Sequence, residues 1–179
     1  FEPHDDSLPE SHPRRRRVRT DKGSVAYDLI PRNALLRRLY EWDPLLGFVA
    51  AVLDEPHLYR HGDPMAALNI NVHREGQQLG WHFDRTDFAV TLSLQQSESG
   101  GIFEYVPNLR SATEENFDGV TRVLAGDREG IRSLSAEPGT LTLAQNSSRN
   151  AGSSTSAVSS VAFVRAMPQQ SHRILPRRL

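Results

Sequence analysis

Leu68-Asn69-Ile70-Asn71-Val72-His73-Arg74-Glu75-Gly76-Gln77-Gln78-Leu79-Gly80-Trp81-His82-Phe83-Asp84 is the stretch that decides the fold of this 179-residue chain. Its first six residues alternate apolar Leu68, Ile70 and Val72 with polar Asn69, Asn71 and His73, the period-two signature of a half-buried strand. Glu75-Gly76 marks a turn. Leu79 to Asp84 then reads as a second strand. On a strand, residues two apart share a face, so His82 and Asp84 would present an imidazole and a carboxylate to one point. Such a pair can grip one side of an octahedral ion. A second His from a distant strand would complete a two-His-one-carboxylate triad, leaving open positions for oxygen and a bidentate cosubstrate. A His-x-Asp pair on its own is a weak signal, because a surface His beside a salt-bridging Asp is common. Its surroundings carry the weight.

Downstream, Phe88 to Gln95 alternates again, with Phe88, Val90, Leu92 and Leu94 on one face. Gly100-Gly101 precedes a strand from Ile102 to Val106, and Pro138-Gly139 precedes another from Thr140 to Leu143. Short strands punctuated by turn signals predict a sandwich or barrel. Upstream, Val18 to Leu29 reads as extended. Leu35, Leu36, Leu39 and Tyr40 form a stripe at helical spacing. Asp43-Pro44 predicts an N-cap and first position for a second helix, with Leu45, Phe48, Val49 and Val52 as its buried face. Glu114 to Ala125 is a weaker helix candidate. The domain organisation expected is a flexible basic arm over 1–17, which holds Arg14 to Arg17, a core over 18–143, and an atypical tail over 144–179. That tail is serine-rich to Ser160 and lacks either period; Val161 to Val164 is a short apolar run.

Composition narrows the chemistry. Lys plus Arg (21) nearly cancel Asp plus Glu (22), so charge gives no reason to expect a nucleic-acid or membrane partner. No apolar run spans a bilayer. Cysteine is absent, which removes disulfides and thiolate ligands together. A metal site must then use His, Asp or Glu, a set suited to iron(II), manganese or zinc. The absence also fits a reducing cytoplasm, the expected location.

The stretch from Leu68 to Asp84, with Phe88-Ala89-Val90-Thr91-Leu92-Ser93-Leu94-Gln95 and Gly100-Gly101-Ile102-Phe103-Glu104-Tyr105-Val106-Pro107, resembles the core of bacterial 2-oxoglutarate/iron(II)-dependent dioxygenases. The group it resembles most includes free-amino-acid hydroxylases and halogenases, and the similarity runs from about Val18 to Leu143. The resemblance implies a mostly β fold with flanking helices, a double-stranded β-helix or cupin-like jelly roll. It implies iron(II) at His82 and Asp84, with 2-oxoglutarate as cosubstrate. Relatives place a tyrosine nine residues before the first metal His, where it holds 2-oxoglutarate. Here that slot is His73, which either donates to a carboxylate or is simply a polar residue of the barrel interior. Thr91 is a second candidate for the pocket wall, though an ordinary strand threonine is the commoner case. Halogenating relatives carry a small residue in place of the carboxylate ligand. Asp84 therefore implies hydroxylation of a small molecule, such as a free amino acid or derivative, with molecular oxygen as co-reactant.

The pattern breaks after Leu143. The resemblance calls for a His as third ligand and an arginine shortly afterwards to grip 2-oxoglutarate. Counting forward, Ala151 and Gly152 stand there. Either the tail is read out of frame, the favoured expectation, or an insertion has displaced the ligand to His172, which Arg173 follows. Two further readings stay open. One is a non-catalytic jelly-roll binding protein or decayed dioxygenase relative. The other is a cupin-like enzyme using His73 with His82 and Asp84. The remaining histidines weigh less: His4 and His12 fall in the arm, and Pro56 and Gly62-Asp63-Pro64 argue against a helix that would align His57 with His61. Glu104 and Tyr105 lie on the strand near the expected mouth, where one of them could touch substrate; a structural role is the favoured expectation.

Overall fold

The computed structural model describes residues 6–145, apart from Arg85, Asp87, Ser99 and Ala112, together with the backbone of 156–165. In chain order the elements are β1 (Gly23–Ala26), α1 (Leu35–Glu41), α2 (Asp43–Leu53), β2 (Leu58–Arg60), α3 (Pro64–Ala67), β3 (Leu68–His73), β4 (Phe88–Ser93), β5 (Phe103–Tyr105), α4 (Phe117–Leu124), β6 (Arg132–Leu134), β7 (Leu141–Gln145) and β8 (Ser156–Arg165). The larger sheet runs β1-β3-β8-β4-β7, with β2 also paired to β8; β5 and β6 form a separate antiparallel pair. A strand-rich core with helices beside it is as the sequence led us to expect. The described strands do not close into a barrel.

Alternation sorts the larger sheet into two faces. The β4–β7 register sets Val90 against Leu143 and Leu92 against Leu141, so these side chains share the face of Phe88. There Phe88 and Val90 are buried with Val49 of α2 and Leu58 of β2, and Leu141 and Leu143 pack against them. Asn69, Asn71 and His73 of β3 and Thr91 of β4 lie on the opposite, polar face, with Ser24 of β1 directly across from Asn71.

Several expectations change. The buried stripe of α2 is Leu45, Leu46, Val49, Ala50 and Leu53, whereas Phe48 and Val52 are more than half exposed. The helix also begins one residue early: Asp43 is its first residue, and Trp42 at the N-cap makes no side-chain cap bond. Part of the expected arm is docked, since the His12 ring lies 4.5 Å from that of Phe117 on α4 and Arg14 stands over the same ring. Asn116 caps α4 by accepting from the Gly119 amide. In the tail, where no periodicity is legible before Ser160, β8 begins at Ser156 and runs parallel to both β3 and β4 at the centre of the sheet.

The expected strand from Leu79 to Asp84 is replaced by an irregular loop whose one ladder contact is the bridge between Leu79 and Thr20. The cause is local. A Cβ on Gly80 would stand 2.5 Å from the Arg19 carbonyl oxygen and 2.9 Å from Val18 Cβ, so only glycine permits this approach of the 18–21 segment. The Gly80 amide donates to the Thr20 hydroxyl, the Gln78 amide to the Asp21 carboxylate, and the Asp21 amide to the Gln78 carbonyl. These bonds engage the backbone with the preceding segment rather than with a sheet edge. β3 and β4 both run parallel to β8, so the connection carrying this loop must return along the sheet.

Candidate functional site

The loop nevertheless brings His82 and Asp84 together. The His82 Nε2 lies 3.4 Å from Asp84 Oδ1, and both side chains are a little under half exposed. On the other side of the ring, Nδ1 lies 2.8 Å from the Gly80 carbonyl oxygen. A carbonyl only accepts, so Nδ1 donates the proton there, and Nε2 is the nitrogen turned toward Asp84. Phe83, between the two in sequence, has the Arg110 guanidinium over its ring, 4.0 Å from the centroid. Arg110 is in turn paired with Glu115.

The electrostatics are those of a coupled pair. The Asp84 hydrogen bond raises the His82 pKa above its usual value, against the opposing effect of burial. The His82 hydrogen bond lowers that of Asp84. Without a metal, a proton on Nε2 is thus stabilised between the two groups.

A divalent ion could replace that proton. Two donors cis on an octahedral ion, each about 2.1 Å from it, stand about 3 Å apart, and opening the angle a little reaches the separation seen here. The donor chemistry also fits: one imidazole whose far nitrogen is fixed by a carbonyl, the usual outer-shell arrangement for a metal-bound His, and one carboxylate. Two candidate donors converge, His82 and Asp84. Among the described residues, no three side chains of His, Asp or Glu converge as a metal-binding group. His73, at the end of β3, therefore does not join His82 and Asp84 as a third ligand.

The other sequence candidates separate clearly. Thr91 sits in mid-strand, opposite Thr142 on β7. His73 and Thr91 thus share the polar face of the sheet. Glu104 is held bidentately by Arg128, a structural role. His57 and His61 flank β2, so no helix aligns them. His12 lies against Phe117 and accepts from the Arg14 amide. His172, Ala151 and Gly152 fall outside the described residues, as does His4.

One neighbour was not singled out by motif or alternation. Lys22, immediately before β1, is half-buried, and its ammonium donates to Asn71 Oδ1 at 2.5 Å. Its charge is felt by both His82 and Asp84. Asn71 points from the polar face, so the His82–Asp84 loop lies on that side of the sheet. The signal in the sequence is rarity: Lys22 is the only lysine among the 21 lysine and arginine residues.

No helix among the described residues is long and apolar enough to cross a membrane. No curated protein and no solved structure matches the chain. A family model described as Halogenase D matches residues 4–148, far more than half of the chain and including the whole His82–Asp84 loop. The chain belongs to the Halogenase D family.

Proposed function

We propose that this chain is built as an iron(II)- and 2-oxoglutarate-dependent oxygenase that hydroxylates a small molecule, and that its turnover is impaired by an incomplete ligand set. The observation that carries the reading is the convergence of His82 Nε2 and Asp84 Oδ1, with Nδ1 tied to the Gly80 carbonyl, in a member of the Halogenase D family. Bound iron would supply the oxygen activation, and 2-oxoglutarate would supply electrons through its decarboxylation to succinate.

The chain's own groups do the rest. His82 and Asp84 would hold the metal, the pair releasing its one shared proton to solvent as the ion enters. The Gly80 carbonyl fixes the ring so that Nε2 keeps its direction. Asp84 fills with a carboxylate the position that a halide needs, which favours hydroxylation over halogenation. His73 and Thr91, on the polar face, are candidates for contacts with 2-oxoglutarate. On this reading the sheet, with α2 packed on its apolar face, is taken as one part of a double-stranded β-helix; molecular oxygen and a small substrate would enter from the polar side.

A second reading has its own support. With two ligands of one ion among the described residues, and with Ala151 and Gly152 where a His and an Arg are expected, the chain also suits a non-catalytic relative that keeps the fold and binds without turnover. The discriminating experiment is incubation of the purified protein with iron(II), oxygen and 2-oxoglutarate, reading succinate. Weak but iron-dependent succinate formation, lost in His82→Ala, supports the impaired oxygenase. None at all favours the binding protein, and robust turnover contradicts the impairment.

A further inference from the structure

We propose that Lys22 is a carboxylate-binding residue of this site: its ammonium, held by the Asn71 side-chain oxygen, takes one carboxylate of an anionic ligand bound beside His82 and Asp84. The inference rests on the oxygenase reading for the identity of the neighbouring metal. Its own support is separate.

Lys22 sits where a cation is costly. Its side chain is half-buried, and burial pulls its pKa down. Asn71, its partner, is 1% exposed, so the amide oxygen cannot turn to water instead. An ammonium has three donors, and Asn71 takes one. Among the described residues no carboxylate stands within ion-pair distance of it. A chain that otherwise uses arginine throughout thus places its single compact, rotatable cation here, with donors to spare.

The charge balance gives that cation a task. A divalent ion held by one carboxylate and a neutral imidazole keeps one positive charge. A dianionic keto acid chelated to it overshoots by one negative charge, and the Lys22 ammonium would cancel the excess. The same donors would serve equally for the carboxylate of a substrate. Both share one chemistry, a carboxylate delivered to the polar face next to Asp84.

The single lysine makes the test direct. The full-length protein is acylated with a water-soluble acetyl ester, and the rate at Lys22 is read by peptide mass spectrometry, with the α-amino group as reference. Cobalt(II) is the metal probe, and 2-oxoglutarate, pyruvate and acetate are the carboxylate probes, each with and without cobalt. Labelling follows the unoccupied fraction, so a ligand at about ten times its Kd should slow Lys22 about tenfold and leave the reference amine unchanged. Protection by 2-oxoglutarate but not pyruvate assigns the ammonium to the far carboxylate of the cosubstrate. Protection by acetate in the presence of cobalt and pyruvate assigns it to a substrate carboxylate. Cobalt binding with no protection by any of the three overturns the Lys22 assignment and leaves the metal reading intact. Protection without cobalt binding leaves Lys22 as a carboxylate site and overturns the metal reading; absence of both overturns both. As a second measure, Lys22→Met should weaken binding of the protecting carboxylate by about tenfold or more, with Lys22→Arg keeping part of it.

Discussion

The Nε2 of His82 and the Oδ1 of Asp84 stand 3.4 Å apart on an irregular loop, not on the strand that their spacing implies. The separation suits two cis ligands of one ion, with the proton they share standing in for the metal. Removing either should therefore cost more than an outer-shell change, which typically weakens metal affinity by about 10–100-fold. We expect His82→Ala and Asp84→Ala each to lower cobalt(II) affinity by at least that factor, measured by titration of the visible cobalt bands. Asp84→Gly should keep weak binding and make the spectrum chloride-dependent, because a coordination position opens for a halide. Unchanged affinity in either alanine variant would count against the site.

Gly80 connects the site to the rest of the chain. It supplies the carbonyl that fixes the His82 ring, and its missing Cβ admits the 18–21 segment. In Gly80→Ala the new Cβ would collide with backbone at Arg19, which has no flexible end to move aside. Overpacking of this kind costs about 1–3 kcal/mol. A matching fall in thermal stability is expected, together with a loss of cobalt affinity larger than in a surface control such as Gly47→Ala, where a Cβ meets open space.

Phe88 and Phe48 show how much of the fold was legible. Alternation picks out β3, β4 and β7 because each has one face against apolar neighbours, and Phe88 is fully buried where that pattern puts it. The helix face was harder: Phe48 and Val52 fit the helical period, yet Leu46, Ala50 and Leu53 are the residues turned to the sheet. Period fixes the existence of a stripe, while its angle is set by the partner, which a single sequence does not display. The loop at His82 escaped for a related reason. Its hydrogen bonds go to residues about sixty positions earlier, and a long-range strap leaves no local period. The motif itself was visible, because His82 and Asp84 meet through their side chains and the fixed Gly80 carbonyl.

The two phenylalanines also give a test. Phe88→Ala should destabilise the protein by about 3–5 kcal/mol. Phe48→Ala, at a side chain 56% exposed, should fall within about 0.5 kcal/mol of the parent. Urea denaturation of both variants decides it, and equal losses would mean that α2 presents a different face.

Asp21 makes the strap sensitive to pH. The Gln78 amide, and after it the Arg19 guanidinium, hold its carboxylate below the ordinary Asp range. A group with a depressed folded-state pKa contributes stability that is present above its unfolded value, near 3.9 for Asp, and lost as pH falls through the folded value. Asp21→Asn should therefore be less stable than the parent at neutral pH, and the gap should narrow as pH falls below the ordinary Asp value. Thermal melts of the two proteins at neutral pH and at pH values below that range provide the comparison. A gap that widens on acidification would contradict the assignment.

On the proposed oxygenase reading, activity depends on a third ligand. Two positions compete: the one at which the dioxygenase resemblance calls for a His, where Ala151 stands, and His172, which Arg173 follows. Each makes a different demand on the same measurement. If His172 completes the triad, His172→Ala must lower cobalt affinity about as far as His82→Ala does, and the parent must form succinate briskly. If the tail is out of frame, His172→Ala leaves cobalt affinity unchanged and the parent stays slow. We expect the second result, because the resemblance to the dioxygenase pattern stops after Leu143 and Ala151 and Gly152 stand where it calls for a His and an Arg. The nucleotide sequence supplies an independent check: a shifted frame after the codon for Leu143 should restore a His-Arg-Val segment, and a chain carrying it should bind cobalt more tightly and turn over faster. Brisk turnover by the parent, abolished in His172→Ala, would reverse this conclusion and make the tail a working part of the site.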